Sequence, residues 1–308
     1  MIDVSVITIN YNSADYTQEC VRSVLQHTQK EINYEILIVD NASKDGELEK
    51  VREFVTSLSD SRVRLLESRI NTGFGGGNMF GVQHAKGAYY LFLNNDARFD
   101  GDTLATCLRF MEETPDAAVC GPRILDGTGK EQVGFDHFTS FAREVFGKRF
   151  VEAISFGKKP NRRKKYVSPL KVDYVNGSFM FFRAIDFHDV GGFDTNIFLY
   201  YEESDICLRL QKKGKHTYFL PQAAYTHHQG KSVGSNLESI DKKIELKTSL
   251  FYVIRKHHGY LHYLALRSVF ALRYLVASLF KPAYFKLFLG ILSGLPLGKS
   301  LKHRQIIK

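Results

Sequence analysis

Three short polar clusters in the first third of the chain follow apolar runs, and their side chains are suited to holding a nucleotide. The clusters are Asn10-Tyr11-Asn12, Asp40-Asn41 and Asn94-Asn95-Asp96. Asp40 could accept a hydrogen bond from a base N–H, or it could act in a turn over residues 40–43. Asp96, with a second oxygen ligand, could hold a divalent cation against a diphosphate, although Asn-Asn-Asp is also a turn sequence.

Acidic and imidazole groups later in the chain could supply acid–base chemistry. Glu202, Glu203 and Asp205 open a predicted helix, where acids commonly interact with the helix dipole but could also act as a general base. Neighbouring residues point about 100° apart around a helix, so only one of the two glutamates can face a cleft. His227 and His228 follow a predicted strand, where a structural role is as open as metal binding.

A glycine-rich segment, NTGFGGGNMFG, spans residues 71–81 but does not match a dinucleotide-binding fingerprint. Asn78 and Phe80 stand where glycine or alanine would be required, and the segment follows the third predicted strand instead of the first. A hydride-transfer enzyme is therefore disfavoured. We expect a loop over 71–77 that lets the backbone approach a ligand, followed by a helix through residue 84.

The elements that must position these residues alternate between strand and helix over the first 120 residues. Apolar runs predict strands at 4–9, 35–39, 63–66 and 89–93, with helices at 13–27, 47–58 and 103–111. Further strands are expected within 172–183 and at 216–220 and 223–227, with a helix at 202–212. The alternation predicts an α/β fold with a doubly wound, mostly parallel sheet, whose sites lie at the carboxyl ends of the strands.

Length and composition are those of an ordinary globular protein. The chain has 308 residues, 44% hydrophobic and 24% charged, which excludes a disordered, collagenous or coiled-coil protein. Four cysteines without a CxxC pair argue against a disulfide scaffold and a zinc finger, and favour a reduced, cytosolic environment. The N-terminal residues lack the basic region of a signal peptide.

Positive charge is concentrated at the C-terminal end. Residues 241–308 hold thirteen basic and two acidic residues, a balance of +11, whereas residues 1–240 are near neutral at −2. We therefore divide the chain into a catalytic domain, 1–240, and a basic tail, 241–308. A second basic segment, residues 158–165, has six cations in eight residues and is expected to be a solvated loop.

The tail also contains two apolar stretches. Residues 260–280 are interrupted by Arg267 and Arg273, and residues 283–297 contain Lys286 and are short for a membrane span. We expect two amphipathic helices lying on an anionic membrane surface, and not a nucleic-acid partner. The alternative is a helix pair that folds back onto the body. Truncation after Gly259 is expected to leave a soluble protein that no longer binds membranes.

Taken together, the clusters carry a resemblance to a known family. VITINYN, IVDNASKDG, NTGFGGGN, YYLFLNND, NGSFMFFR, GGFDTNIFLYYEESDICLRLQKKG and THHQGKS occur in the order and spacing of glycosyltransferase family 2. The chain most resembles the bacterial rhamnosyltransferase branch, which acts in O-antigen and cell-wall polysaccharide assembly. The match covers about residues 2–235, and KTSLFYVIRKHHG at 247–259 is similar to a segment of that branch.

The resemblance implies a GT-A fold and an inverting transfer from a nucleotide sugar. By position in the family pattern, Ile9, Asn10, Tyr11 and Asp40 would contact the nucleotide. The same pattern places Asn71, Gly73, Asn78, Asn94 and Asn95 beside the nucleotide or its sugar. The donor sugar implied is dTDP-rhamnose, with UDP sugars as the alternative.

The same resemblance assigns a divalent cation, Mg²⁺ or Mn²⁺, and a catalytic base. Asp96 and His227 would hold the cation, with Asn94 replacing the first aspartate of the family's DxD motif. Glu203 matches the catalytic base, and Glu202 would lie on the acceptor side or cap its helix. The acceptor implied is a polyprenyl-diphosphate-linked saccharide, which places the enzyme in the cytoplasm, peripherally on the inner face of the plasma membrane.

Two other classes of function are weighed against this one. A sugar nucleotidyltransferase would carry a glycine-rich loop with Arg or Lys near the first strand, and NYNSADY has none. A non-catalytic membrane-bound scaffold would explain why Asn94 replaces an aspartate of the family motif. The presence of Asp96, Glu203 and His227 argues against a scaffold. A donor-hydrolysis assay separates an enzyme from a scaffold.

Overall fold

The computed structural model describes residues 2–228 and 239–308 and shows a mixed α/β fold with a helical C-terminal region. The strands are β1 (Val4–Asn10), β2 (Tyr34–Asn41), β3 (Val63–Ser68), β4 (Tyr89–Asn94), β5 (Ala97–Arg98), β6 (Ala117–Leu125), β7 (Glu131–Gln132), β8 (Phe135–Asp136), β9 (Leu170–Val172), β10 (Tyr174–Val175), β11 (Phe179–Arg183) and β12 (His216–His227). The helices are α1 (Ala14–His27), α2 (Asp45–Leu58), α3 (Gly73–Val82), α4 (Thr103–Glu113), α5 (Phe141–Phe146), α6 (Lys148–Ile154), α7 (Ala184–Asp189), α8 (Glu202–Lys212), α9 (Ser239–His258), α10 (Tyr260–Phe280) and α11 (Ala283–Leu292).

The first half of the main sheet is parallel, as the sequence predicts. Its strands lie in the order β3-β2-β1-β4. Asn10 pairs with Asp40 across β1 and β2, and Ile9 pairs with Asn94 across β1 and β4. The three polar clusters are therefore at one edge of the sheet, because parallel strands end on the same side.

The second half of the sheet is mixed. The order continues β4-β11-β6-β12-β5, with β11 antiparallel to both of its neighbours and β6 parallel to β12. Residues of α1, α2 and α4 pack on one face of the sheet, and residues of α3, α7 and α8 pack on the other. This two-sided cover confirms the doubly wound prediction.

The glycine-rich segment is a helix, so the expectation of a loop over 71–77 is wrong. Only its start is irregular: Gly73 has a φ of 76°, and a Cβ there would lie 2.1 Å from the carbonyl oxygen of Phe198. Gly77 and Gly81 face the sheet, where added Cβ atoms would meet Ile9 and Ile7 at 2.9 and 2.5 Å. These two glycines allow α3 to pack closely on β1.

Two other sequence-based expectations change in the structure. The predicted strands at 216–220 and 223–227 form the single strand β12, whose pairing with β6 shifts between Leu220 and Ala224. The basic segment 158–165 is only partly solvated. Lys159 pairs with Asp173, and Arg162 donates to Glu152 at 3.1 Å; both carboxylates are partly buried.

The C-terminal helices share an apolar core on one side, as in the folded-back alternative, while much of the apolar surface of α10 stays exposed. Leu250, Phe251 and Ile254 of α9 pack with Leu266 and Phe270 of α10, and residues of α11 complete this cluster. Truncation after Gly259 would remove α10 and expose the apolar side of α9. This packing argues against the expectation that the truncated protein is soluble.

Helix α9 also joins the tail to the α/β body, although residue 240 was expected to end the catalytic domain. Ser249 donates to the carbonyl of Leu199 at 2.7 Å, and His258 bonds the carbonyl of Thr139 at 2.8 Å. Asp205 of α8 lies 2.7 Å from His257 and 2.6 Å from Lys256. Burial acts to raise the pKa of Asp205, but His257, Arg209 and Lys256 together hold it well below its usual value.

Substitution within α10 tests this packing, because the helix carries a matched pair of leucines. Leu266 is fully buried and Leu261 is 79% exposed. We expect Leu266→Ala to lower the free energy of unfolding by about 2–5 kcal/mol, since it leaves a cavity. Leu261→Ala should change it by no more than about 0.5 kcal/mol. Denaturant unfolding measures both, and equal effects would mean that α10 does not pack on α9.

Candidate active site

The ends of β1 and β2 are joined by a buried hydrogen-bond network around Asp40. Asn10 donates to one carboxylate oxygen of Asp40 at 2.8 Å, and the backbone N–H of Ser43 donates to the other at 2.9 Å. Asn10 also donates to the Ser43 hydroxyl at 3.0 Å, which in turn accepts from the N–H of Asn12. Asp40 is fully buried. In this arrangement it holds the loop over 40–43, which is the turn role that the sequence left open.

Asn41 connects the same loop to the start of α3. Its amide donates to Asn71 at 3.0 Å and to the carbonyl of Gly73 at 3.1 Å, and its oxygen accepts from the N–H of Thr72. Asn71 and Gly73 therefore lie beside the β2 end, as their predicted role requires. Asn78 is buried and donates to the carbonyl of Phe74 within its own helix, so its side chain serves α3.

Asn94 ends β4, and Asn95 and Asp96 follow it; the three side chains have different surroundings. Asn95 is buried and donates to the hydroxyls of Ser13 and Thr17 at 2.7 and 2.8 Å, which fixes the start of α1. Asn94 is partly exposed at the end of β4, beside Ile9 of β1. Asp96 is buried, and its carboxylate lies 3.0 Å from Nε2 of His227.

Asp96 and His227 come from distant parts of the chain and meet through strand pairing. Ala97 of β5 pairs with His227 at the end of β12, and the N–H of His228 donates to the carbonyl of Asp96 at 3.0 Å. The remaining residues of the THHQGKS motif, 229–232, lie outside the described residues.

This pair fits a divalent cation whose other ligands come from a substrate. A carboxylate and an imidazole are both acceptable ligands, and Nδ1 of His227 is buried without a hydrogen-bond partner in the described structure. Across residues 2–228 and 239–308 there is no cluster of three or more His, Cys, Asp or Glu side chains that could hold a metal. Mg²⁺ is commonly held by one or two protein groups together with phosphate oxygens.

A turn at residues 176–178 connects the end of β4, close to Asp96, with the acidic helix α8. The carbonyl of Ser178 accepts from the N–H of Asn94 at 3.0 Å. The preceding residue, Gly177, lies directly against the Glu203 carboxylate. A Cβ at Gly177 would lie 2.2 Å from Oε1 of Glu203, so only glycine leaves room for this contact.

Glu203 and Glu202 point to different surroundings, as their helical spacing predicts. Glu203 lines a cavity of about 380 Å³ together with Tyr174 and Tyr201. Glu202 is buried, does not line this cavity, and has an oxygen without a hydrogen-bond partner among the described residues. Burial raises the pKa of Glu203, and burial together with the Glu203 charge raises that of Glu202 further. A carboxylate with a raised pKa in a cavity is suited to take a proton.

The backbone before α8 is strained at the point that presents these glutamates. Tyr200 and Tyr201 have φ values of 73° and 74°, in the left-handed region that non-glycine residues rarely adopt. Such conformations cost of order 1–3 kcal/mol each and concentrate at functional sites. Here they turn the chain so that α8 begins with Glu202 and Glu203.

Sequence reasoning did not single out two residues of this site. Ser43 accepts hydrogen bonds from Asn10 and Asn12, and Gly177 lies against Glu203. Both stand within motifs that carried the family resemblance, but a motif does not show which residues its members contact. The predicted roles of Ile9 and Tyr11 toward a base stay predictions; Ile9 also packs against Gly77 of α3.

Comparison with known proteins identifies the family. The model of the family "Glycosyl transferase family 2" matches residues 5–191, more than half of the chain. An N-acetylglucosaminyl-diphospho-decaprenol L-rhamnosyltransferase of Mycobacterium tuberculosis is 24% identical over 277 residues, covering 84% of this chain and 87% of its own length. Rhamnosyltransferase WbbL of Escherichia coli K12 is 28% identical over 198 residues, covering 60% of this chain and 71% of its own.

Solved structures confirm the expected fold. GalNAc-T7, crystallised with UDP, GalNAc and Mn²⁺, superposes with a TM-score of 0.62 at 15% identity, covering 83% of this chain and 48% of its own. Residues 1–349 of S. aureus TarS superpose with a TM-score of 0.54 at 17% identity, covering 82% and 66%. At this identity the likeness concerns the GT-A fold. Together with the family match, it shows that the chain is a glycosyltransferase and belongs to glycosyl transferase family 2.

Proposed function

We propose that this enzyme transfers rhamnose from dTDP-rhamnose to a saccharide carried on a polyprenyl diphosphate, with inversion at the anomeric carbon. The observation that carries the proposal is the partly buried Glu203 carboxylate, which faces a cavity and lies against the turn that also bonds the end of β4. The names of two relatives, both rhamnosyltransferases and one of them specific for a diphospho-decaprenol acceptor, support the donor and the acceptor.

The residues divide the reaction between a donor side and an acceptor side. The acceptor hydroxyl bonds to the anomeric carbon as the bond from that carbon to the diphosphate breaks, and Glu203 takes the hydroxyl proton. Close packing against Gly177 limits the positions that the carboxylate can take. One displacement with one base inverts the centre, so no nucleophilic residue of the enzyme is required.

On the donor side, Asp96 and His227 would hold a divalent cation, with Asn94 beside them. The cation supplies charge neutralisation for the departing diphosphate. Because Asn94 replaces a carboxylate, we expect weaker cation binding than in a site with two aspartates. Asn10, Asp40, Asn41 and Asn71 keep the loop ends in place around the nucleotide.

The enzyme would act peripherally on the inner face of the plasma membrane. Helix α10 is the one helix in the described ranges long and apolar enough to cross a membrane by length and composition, with a mean hydropathy of 1.4. Its exposed residues include Leu272, Leu279 and Phe280. Arg267 and Arg273 donate to carbonyls of Leu292 and Val145 on neighbouring elements, an arrangement that favours lying on the surface over spanning. Binding that resists both high salt and carbonate extraction would contradict the peripheral location.

Donor calorimetry tests the proposed function. We expect dTDP-rhamnose to bind more tightly than UDP-glucose, UDP-galactose or GDP-mannose, and only in the presence of Mn²⁺ or Mg²⁺. Asp96→Ala should abolish the cation-dependent binding of the nucleotide sugar. The melting temperature of the nucleotide-free protein should not change. Preference for a UDP sugar would move the enzyme to the alternative donor class. Unchanged cation-dependent affinity in Asp96→Ala would contradict the cation site.

The pH dependence of turnover tests the base. A base is active when ionised, and burial raises the pKa of Glu203 above its usual value near 4.5. Activity should therefore be complete at high pH and fall, as pH decreases, at a midpoint above 4.5. Glu203→Gln should lose roughly 10²–10⁴-fold in kcat with donor affinity retained. Glu202→Gln is the matched control and should lose less; the reverse order would assign the base to Glu202.

Gly177 allows the position of the base to be tested without removing it. In Gly177→Ala the new Cβ would occupy the place of Oε1 of Glu203, and the flexible end of that side chain would move. We expect a normal melting temperature, normal donor affinity and a loss of about 10²-fold in kcat, because small misplacements of a reacting group are costly. Ala substitution at Gly101, which has open space around its Cβ position, is the control. Full activity in Gly177→Ala would show that Glu203 does not need this contact.

A further inference from the structure

The cavity beside Glu203 has a cationic wall that the transfer chemistry does not use. Three basic side chains line it: Arg143 from α5, Lys148 from α6, and Arg162 from the basic segment 158–165. The carboxyl groups that line the same cavity are Asp136 and Glu203, so cations outnumber carboxylates by three to two. A saccharide hydroxyl alone would not require such a wall.

The three cations converge because they share Asp136. Arg143 lies 3.2 Å and Arg162 3.5 Å from its oxygens, and Lys148 also pairs with it. Burial acts to raise the pKa of Asp136, but Arg143 and Lys148 outweigh burial and the pKa lies below its usual value. One carboxylate thus holds three cations close together; Glu144 and Glu152, which do not line the cavity, pair with Arg143 and Arg162.

Arg143 has hydrogen-bonding capacity left over. Its side chain is buried, donates to the hydroxyl of Tyr174 at 3.2 Å, and pairs with Glu144 at 2.6 Å. Its Nε atom is buried and has no hydrogen-bond partner among the described residues. A buried guanidinium with an unused donor is suited to bind phosphate oxygens.

The other side of the same two helices is apolar and exposed. Phe146 of α5 and Phe150 of α6 are exposed, with ring centroids 5.0 Å apart, and Ile154 and Phe156 follow. Arg273 of α10 donates to the carbonyl of Val145, which brings this surface next to the exposed apolar face of α10. Residues 141–165 contain nine basic and two acidic residues. This combination of cations and exposed aromatic groups matches an amphiphile that carries phosphate and a hydrocarbon chain.

We propose that Arg143, Lys148 and Arg162 bind the diphosphate of the lipid-linked acceptor, and that its prenyl chain leaves along Phe146, Phe150 and Phe156 toward the membrane. This inference rests on the proposed function, since it requires an acceptor with a lipid diphosphate. The phosphate would lie in the cavity of Glu203, within reach of the hydroxyl that Glu203 deprotonates.

The test uses two double variants with the same change of charge. Lys148→Gln/Arg162→Gln removes two cations of the cavity wall. Arg149→Gln/Arg163→Gln removes their exposed sequence neighbours, which do not line the cavity. The probe is farnesyl diphosphate in detergent, titrated against full-length protein with its nucleotide site saturated by dTDP; farnesol and inorganic pyrophosphate are titrated in parallel.

We expect wild-type protein to bind farnesyl diphosphate more tightly than either farnesol or pyrophosphate. Lys148→Gln/Arg162→Gln should weaken that binding by roughly tenfold or more, because charge-assisted hydrogen bonds to phosphate are lost. Arg149→Gln/Arg163→Gln should stay within about twofold of wild type, since exposed charges contribute little. Equal losses in the two double variants, or no loss in either, would overturn the proposal.

Other sources of phosphate give different results. Equal affinity for pyrophosphate and farnesyl diphosphate would show a free-phosphate site and overturn the lipid assignment. Cosedimentation with phosphatidylglycerol liposomes distinguishes a phospholipid headgroup. If Lys148→Gln/Arg162→Gln loses liposome binding but keeps farnesyl diphosphate binding, the wall contacts the membrane and not the acceptor.

Two measurements keep the result interpretable. If the double variant does not fold, Lys148→Gln against Arg149→Gln makes the same comparison, since the Lys148 side chain is 38% exposed and tolerates replacement. Titration of dTDP by itself reports the donor site. If wild-type protein does not bind dTDP, the proposed function is contradicted. If it binds dTDP but not farnesyl diphosphate, only this inference is contradicted.

Discussion

The parallel pairing of β1 with β2 and β4 is the constraint on which the rest of the site depends. In a parallel sheet the carboxyl ends of all strands lie at one edge, so the polar groups that follow the strands are buried close to one another. Buried polar groups must then find partners among themselves, because an unpaired one costs about 1–3 kcal/mol. Asn10, Asp40 and Ser43 satisfy one another in this way, and Asn41 does the same for Asn71 and Gly73. The ends of β1 and β2 are thus joined by hydrogen bonds because they are buried together.

The antiparallel strand β11 joins this edge to the second half of the molecule. It lies between β4 and β6, and the turn before it contacts both the end of β4 and Glu203. The contact between Asp96 and His227 depends on the same half, because pairing of β12 with β5 brings His227 to Asp96. The proposed donor and acceptor groups are therefore positioned by strands of one sheet.

The basic residues of the tail have two different roles. Lys256 and His257 of α9 hold Asp205 of α8, so part of the positive charge ties the tail to the helix that carries Glu203. Arg267 and Arg273 bond to backbone carbonyls of adjacent elements. The exposed apolar groups of α10 lie near those of α5 and α6, two helices that also line the cavity beside Glu203. A membrane-bound substrate would then meet one continuous surface.

The sequence by itself determined the α/β class, the bounds of most of the first strands and helices, and the identity of the polar residues at the strand ends. These follow from local hydrophobic periodicity and from motif spacing, which need no knowledge of long-range contacts. Only the tertiary structure decided what each polar residue contacts. Asp40, Asn78 and Asn95 proved to be bonded within the protein, and Gly177 proved to be a partner of Glu203. The glycine-rich segment became a helix because Gly77 and Gly81 pack against the sheet, and the apolar tail became a packed helical cluster because α9 supplies a complementary face. Such outcomes depend on residues far apart in the chain, and a local pattern carries no information about which distant surface will cover it.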